Sequence, residues 1–224
     1  MHLVTYWVFA VLLPHTCISS IEGKGKDYYF KPPRHADIPT PIGLFQDSWN
    51  KRNLARRYLI YGVIFVEGSN LRADVYVRVA NLMKRLQQEQ DWVLVLPPWE
   101  HLYHWKSDFH QDGIPWRIFY DVPSLRAYVR VIELETFFKE TGQTQVDEVI
   151  YLQDYAGGFK GETWEDKIDE APCLEDPGYY RDGNGTYAGF FGLDEFSAKR
   201  VRCFSVQGTA DILAPLLLRK ITAR

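Results

Sequence analysis

The sequence predicts an α/β domain built on a mainly parallel sheet. Three observations carry that expectation. Apolar runs of strand length recur along the chain, at 57–63, 92–96, 130–134, 148–153 and 202–206. A long segment of helical periodicity follows the first run directly after a short glycine-bearing loop. The second run, WVLVL at 92–96, is apolar without alternation, as expected of a strand covered on both faces.

The elements follow in order. Residues 57–63 are rich in Tyr, Leu, Ile and Val, which favour strands. After the loop, Leu71, Val75, Val79, Leu82 and Leu86 fall on one face at helical spacing, with Arg72, Asp74, Arg78, Asn81, Lys84 and Arg85 largely elsewhere. Asn70 is the expected N-cap, since its side chain can accept from first-turn amides, and no Glu or Gln three residues on completes a capping box. Pro97-Pro98 stops the 92–96 strand and opens a loop dense in aromatics and histidines. Pro123-Ser124 opens a short helical stretch. Residues 130–134 read as a third strand, 135–141 as a helix ending at Gly142, and 148–153 as a fourth strand. A glycine-rich loop covers 154–163, a charged helical turn is expected over 164–170, and 171–192 reads as loop or short helix. The fifth strand, 202–206, precedes Gln207-Gly208-Thr209-Ala210. The apolar end, PLLLRKITAR, reads as an exposed interface or a cut chain, with a docked segment as the alternative. Strands alternating with helices imply right-handed βαβ units and a Rossmann-like sheet.

Composition bounds the function. With 224 residues, 46% of them hydrophobic, the chain can form one large core or two small ones. A net charge of -3 argues against nucleic acid as a partner, because phosphate binding needs a basic face. Residues 1–20 have the layout of a signal peptide, with an apolar run from 3 to 13, then Pro14 and small residues. That run is too short for a stable membrane span, which needs ~20 apolar residues. Residues 21–56 are a polar, proline-bearing lead-in. If Cys17 leaves with the leader, Cys173 and Cys203 remain, either as a disulfide or as two buried thiols. The sequon at Asn184 suits the same secretory route and predicts an exposed, N-glycosylated loop.

The chemistry centres on Glu67. A carboxylate between a strand's carboxyl end and a helix's amino end lies where open α/β sheets place ligands, and can serve as a general base. Alone, it could equally be a surface turn residue. Gly68 permits close approach of a ligand to the backbone, and the helix start favours an anion such as a nucleotide diphosphate. His101, His104 and His110 lack metal-ligand spacing, so no metal site is expected. There is no G-x-S-x-G elbow and no P-loop. The stretch Ser205-Val206-Gln207-Gly208 could place Ser205 or Gln207 in the same cleft, or could equally be an ordinary strand-to-helix turn.

Several segments together resemble the protein O-fucosyltransferases of the second type: RYLIYGVIFVEGSNLRADVY, WVLVLPPWEHLYHWKS, IPWRIFYDVPSL, EVIYLQDYA, TWEDKIDEAPC and CFSVQGTADILAPLLLR. Their order and spacing fit over most of residues 57–219. The resemblance implies that residues 57–224 are the N-terminal Rossmann-like domain of a GT-B glycosyltransferase, with the second, donor-binding domain expected to be absent. It implies inverting transfer of fucose from GDP-fucose to Ser or Thr of folded thrombospondin type 1 repeats, in the endoplasmic reticulum lumen, without a metal cofactor. Glu67 matches the family's catalytic base, and Val66, Gly68, Ser69 and Asn70 match its donor-lining loop. The family's cysteine pair falls at Cys173 and Cys203, which supports the disulfide. Two departures stand out: Val66 replaces the family's proline and Ser69 its aromatic. The alternative expectation is a truncated, catalytically silent domain that binds such repeats without transfer.

Overall fold

A computed structural model describes residues 7–12, 56–63, 68–99, 108, 111, 113–155, 165–173, 180–181, 187–188 and 197–219. Its main sheet has seven strands in the order β4-β3-β2-β1-β6-β11-β7. In chain order these are β1 (Trp7–Leu12), β2 (Arg57–Gly62), β3 (Trp92–Leu96), β4 (Val131–Glu133), β6 (Glu148–Gln153), β7 (Lys167–Glu170) and β11 (Val201–Gln207). β2, β3 and β4 pair in parallel, as do β6 and β11. β1 lies antiparallel to both β2 and β6, so those two arms point the same way and five of the seven strands share one direction. The architecture is the mainly parallel, Rossmann-like α/β fold expected.

The period of two along each strand decides which helix covers which face. Leu59 and Tyr61 of β2, Leu94 and Leu96 of β3, and Ile150 and Leu152 of β6 join one core cluster. Ile60, Val95 and Val149, their neighbours in sequence, join the other. The first face is covered by α1 (Ser69–Glu89), which buries Val75, Tyr76, Val79, Ala80, Leu82, Met83 and Leu86 at helical spacing. The second is covered by α3 (Leu134–Thr141) through Leu134 and Phe137. Burial of both faces explains why WVLVL has no polar alternation. α3 ends where Gly142 takes φ 63, a left-handed conformation that costs glycine nothing. Between β3 and β4, α2 (Val122–Tyr128) starts with proline in its first turn. A small second sheet, order β5-β10-β9-β8, is made of two-residue strands: β5 (Gln145–Val146), β8 (Tyr180–Arg181), β9 (Tyr187–Ala188) and β10 (Ser197–Ala198).

Four details differ from expectation. Trp7–Leu12, inside the expected leader, form β1, with Phe9 opposite Tyr61 on one side and Ile150 on the other. The charged turn expected over 164–170 is in part a strand: β7 pairs antiparallel with β11, half-burying Ile168 while Lys167 and Asp169 face solvent. Its charges suit an exposed sheet edge, and the backbone ladder overrides weak helical propensity. The apolar C-terminal stretch is no open interface at its start. Ala210–Leu213 form a 3-10 turn and α4 (Ala214–Arg219) follows, with Leu213, Ala214 and Leu217 buried in the α1 core. Finally, the N-cap of α1 is Gly68, not Asn70: Gly68 is extended (φ -74, ψ 176) and its carbonyl accepts the Arg72 amide at 3.2 Å. Asn70 is the second residue of the helix and is exposed.

Candidate active site

The carboxyl ends of the co-directional strands line one edge of the sheet: β2 ends at Gly62, β3 at Leu96, β6 at Gln153 and β11 at Gln207. α1 follows β2 in the chain, and its first described residues, Gly68 and Ser69, belong to the expected donor loop. Glu67 and Val66 fall outside the described residues. Gly68 and Ser69 are half-buried, and they open a helix with no acidic residue in its first turn and no side-chain cap. The positive end of a 21-residue helix dipole therefore faces the edge without a charge of its own to satisfy it.

Beside this helix start stands an aromatic wall. Trp99 and Trp116 meet edge to face at 5.4 Å, and Phe119 and Tyr120 lie 5.0 and 5.8 Å from Trp99. Tyr76 of α1 reaches Trp116 at 5.3 Å. The wall is pinned by two short contacts: Trp116 Nε1 donates to the Pro97 carbonyl at 2.7 Å, and Trp99 and Ile114 exchange backbone bonds of 2.8 and 2.9 Å. Arg72, on the first turn of α1, is buried with its guanidinium 5.8 Å from the Trp99 ring. Tyr61 of β2 is fully buried beneath, and its hydroxyl has no hydrogen-bond partner among the described residues. Burial, with Tyr76 nearby, holds that phenol well above its ordinary pKa, and Arg72 opposes the rise. At the end of β4, buried Glu133 accepts the Arg117 amide at 2.8 Å and pairs with the Arg117 guanidinium.

The far end of the edge is structural rather than open. Buried Gln153 donates to Ser205 Oγ at 3.3 Å and to the Pro172 carbonyl at 2.9 Å, and Gln207 donates to the Glu165 carbonyl at 2.7 Å. Ser205 and Gln207 thus knit β6, β11 and the β7 segment together. The sequence left them as cleft candidates, and their hydrogen bonds assign them to the frame. Gly208 takes φ 137, and a Cβ there would meet Asp166 Oδ1 at 2.6 Å. Tyr155 donates to Asp169 at 2.7 Å beneath the Lys167 ammonium, 4.6 Å from its ring. Burial first, then the Asp169 carboxylate, raises the Tyr155 pKa. Cys173 and Cys203 form the expected disulfide, with Cα atoms 5.2 Å apart, which fastens the chain after β7 to the middle of β11. Asn184 falls between β8 and β9, and His101, His104 and His110 between β3 and α2, all outside the described residues. No cluster of metal-ligating side chains occurs among the described residues, and no described helix is long and apolar enough to cross a membrane.

One residue escaped the sequence reading. Arg72 was placed off the buried face of α1, yet it is 7% exposed. Its spacing to Val75, Tyr76 and Val79, three, four and seven residues on, was the available signal.

A mainly parallel sheet with a helix start at its carboxyl edge is a Rossmann-like α/β domain, consistent with a glycosyltransferase. Residues 58–188 match the family model described as GDP-fucose protein O-fucosyltransferase, and the chain belongs to that family. It is 52% identical over 171 residues to human GDP-fucose protein O-fucosyltransferase 2, covering 75% of this chain and 40% of the relative. The namesake from Caenorhabditis elegans is 37% identical over 72% of this chain and 38% of its own length. That from Drosophila melanogaster is 34% identical over 73% and 35%. The chain thus spans about two fifths of the length of these relatives.

Proposed function

We propose that this chain takes part in inverting transfer of fucose from GDP-fucose to a Ser or Thr hydroxyl of folded thrombospondin type 1 repeats, with Glu67 as general base. The observation that carries the reading is the coincidence of the family match with the β2–α1 connection, where Glu67-Gly68 meets a helix start lacking any acidic group of its own. Glu67 takes the proton of the acceptor hydroxyl as that oxygen attacks the anomeric carbon. The new carbon–oxygen bond forms on the face opposite the departing diphosphate, and the electron pair of the broken bond leaves with GDP. Val66, Gly68, Ser69 and Asn70 line the donor, and the helix dipole favours the negative diphosphate. In this reading no metal ion takes part, and the helix start offers positive charge to the departing diphosphate. The leader-like layout of residues 1–20, the sequon at Asn184 and the disulfide support reading the endoplasmic reticulum lumen as the compartment.

The test is direct. The purified chain, with GDP-fucose, a folded repeat and excess chelator, should yield a repeat heavier by one fucose. Binding of the repeat without any mass gain would instead support the silent, repeat-binding alternative.

A further inference from the structure

The strand at the middle of the main sheet lies in the stretch whose layout marks it for removal. β1 (Trp7–Leu12) stands between β2 and β6, inside the leader-like residues 1–20. With β1 set aside, the co-directional strands stand in the order β4-β3-β2-β6-β11. Along the chain these are the third, second, first, fourth and fifth of that set. This is the doubly wound order, which reverses between its first and fourth strands, and the reversal is where such sheets place their ligand crevice. β1 therefore fills the switch point.

Removal of β1 leaves two buried strands, each with one open edge. Leu59, Ile60 and Tyr61 of β2 and Glu148, Val149 and Ile150 of β6 are each at most 1% exposed. Buried backbone amides and carbonyls need partners, so both edges must find another strand. They match each other in three respects. Both run antiparallel to β1, so they are parallel to one another. Phe9 pairs with both Tyr61 and Ile150, and Ala10 with both Ile60 and Val149, so the two strands already stand in register. Tyr61 and Ile150 are not split between faces: Tyr61 and Ile150 join one core cluster, Ile60 and Val149 the other. Closure in this register keeps every side chain on its own face, which a slip of one residue would not. The movement required is one strand spacing, about 4.8 Å.

We propose that β1 is a placeholder strand. While it is attached it blocks the switch point. Its departure lets β2 and β6 pair directly in parallel, with Tyr61 beside Ile150 and Ile60 beside Val149, and the uninterrupted doubly wound sheet then exists only in the cleaved chain. The change in pairing is independent of the proposed fucose transfer, so a chain that transfers no fucose can still show it.

The test starts from the full chain, deuterated and labelled with nitrogen-15, with a protease site inserted after Ser20. Amide–amide Overhauser contacts are read before and after the cut. Adjacent strands, about 4.8 Å apart, give such contacts, whereas strands separated by a third, about 9.6 Å apart, do not. Before the cut, β1 amides should contact both β2 and β6, with no contact joining β2 to β6. After the cut the leader fragment should leave, and new contacts should join Ile60 and Tyr61 to Val149 and Ile150. Retention of the fragment on the cut chain overturns the proposal, and so does unfolding once the fragment leaves, because either makes β1 a permanent strand. An uncut chain that lacks the β1 contacts, or that already joins β2 to β6, overturns it as well.

Discussion

Cutting the Cys173–Cys203 bridge measures how firmly the far end of the edge is held. The bridge joins residues 30 apart. Closing a loop of that size removes about 12 cal/mol/K from the unfolded chain, or ~3.6 kcal/mol at 25 °C, in the chain-entropy account. C173A is the cleaner cut, because Cys173 is exposed and Cys203 is 3% exposed. Truncating Cys173 opens no cavity and leaves the Cys203 sulfur in place in β11. The backbone bond from Ala171 to the Cys203 carbonyl, 3.2 Å, remains to guide the segment. With a urea m-value of about 2.5 kcal/mol/M, the midpoint should fall by about 1.4 M. Urea unfolding of the parent and of C173A, each with and without reductant, gives the result. Reductant should bring the parent down to the C173A value and leave C173A unmoved. A C173A midpoint within about 0.3 M of the oxidised parent would refute the reasoning, as would an equal response of both proteins to reductant.

Three further outcomes follow. Y61F removes a buried hydroxyl that has no partner among the described residues, so stability near neutrality should hold or rise by up to about 1–3 kcal/mol in thermal or urea unfolding. The folded Tyr61 pKa lies above its unfolded value, so its contribution is complete below about pH 10 and is lost as pH rises beyond; Y61F should flatten that alkaline loss. G208A forces a side chain into φ 137 against Asp166, and should destabilise by ~1–3 kcal/mol in the same assay. For the leader, N-terminal sequencing of the chain recovered from a secretory cell should start near residue 21. A start upstream of Trp7 would instead make β1 a permanent strand between β2 and β6.

The parts of the fold that stood out in the sequence were those governed by burial. WVLVL announced a strand covered on both faces, and the apolar stripe from Leu71 to Leu86 announced the helix that covers one of them. What escaped was decided by pairing and by termini. KIDE carries helix-compatible charges, and only the backbone ladder to β11 makes it a strand. α4 has too few residues for periodicity to speak, and it forms because Leu213 and Leu217 find the α1 core. Asn70 is the better capping residue in isolation, but the carbonyl geometry of Gly68 starts the helix two residues earlier. At the site, Glu67 and Gly68 gained meaning only through the family resemblance, since a lone Glu-Gly pair is common in turns. Arg72 was readable as buried from its spacing, but charge outweighed periodicity in placing it. Ser205 and Gln207 looked like cleft residues because they follow a strand; hydrogen bonds to Gln153 and the Glu165 carbonyl turn them inward to the frame.

The most direct measurement is fucose transfer by the parent chain and E67Q, run side by side on a folded thrombospondin repeat with labelled GDP-fucose. Removing a general base costs about 10²–10⁴-fold in rate, so E67Q should keep donor and repeat binding and lose transfer by that factor. Transfer by E67Q at the parent's rate would contradict the role given to Glu67.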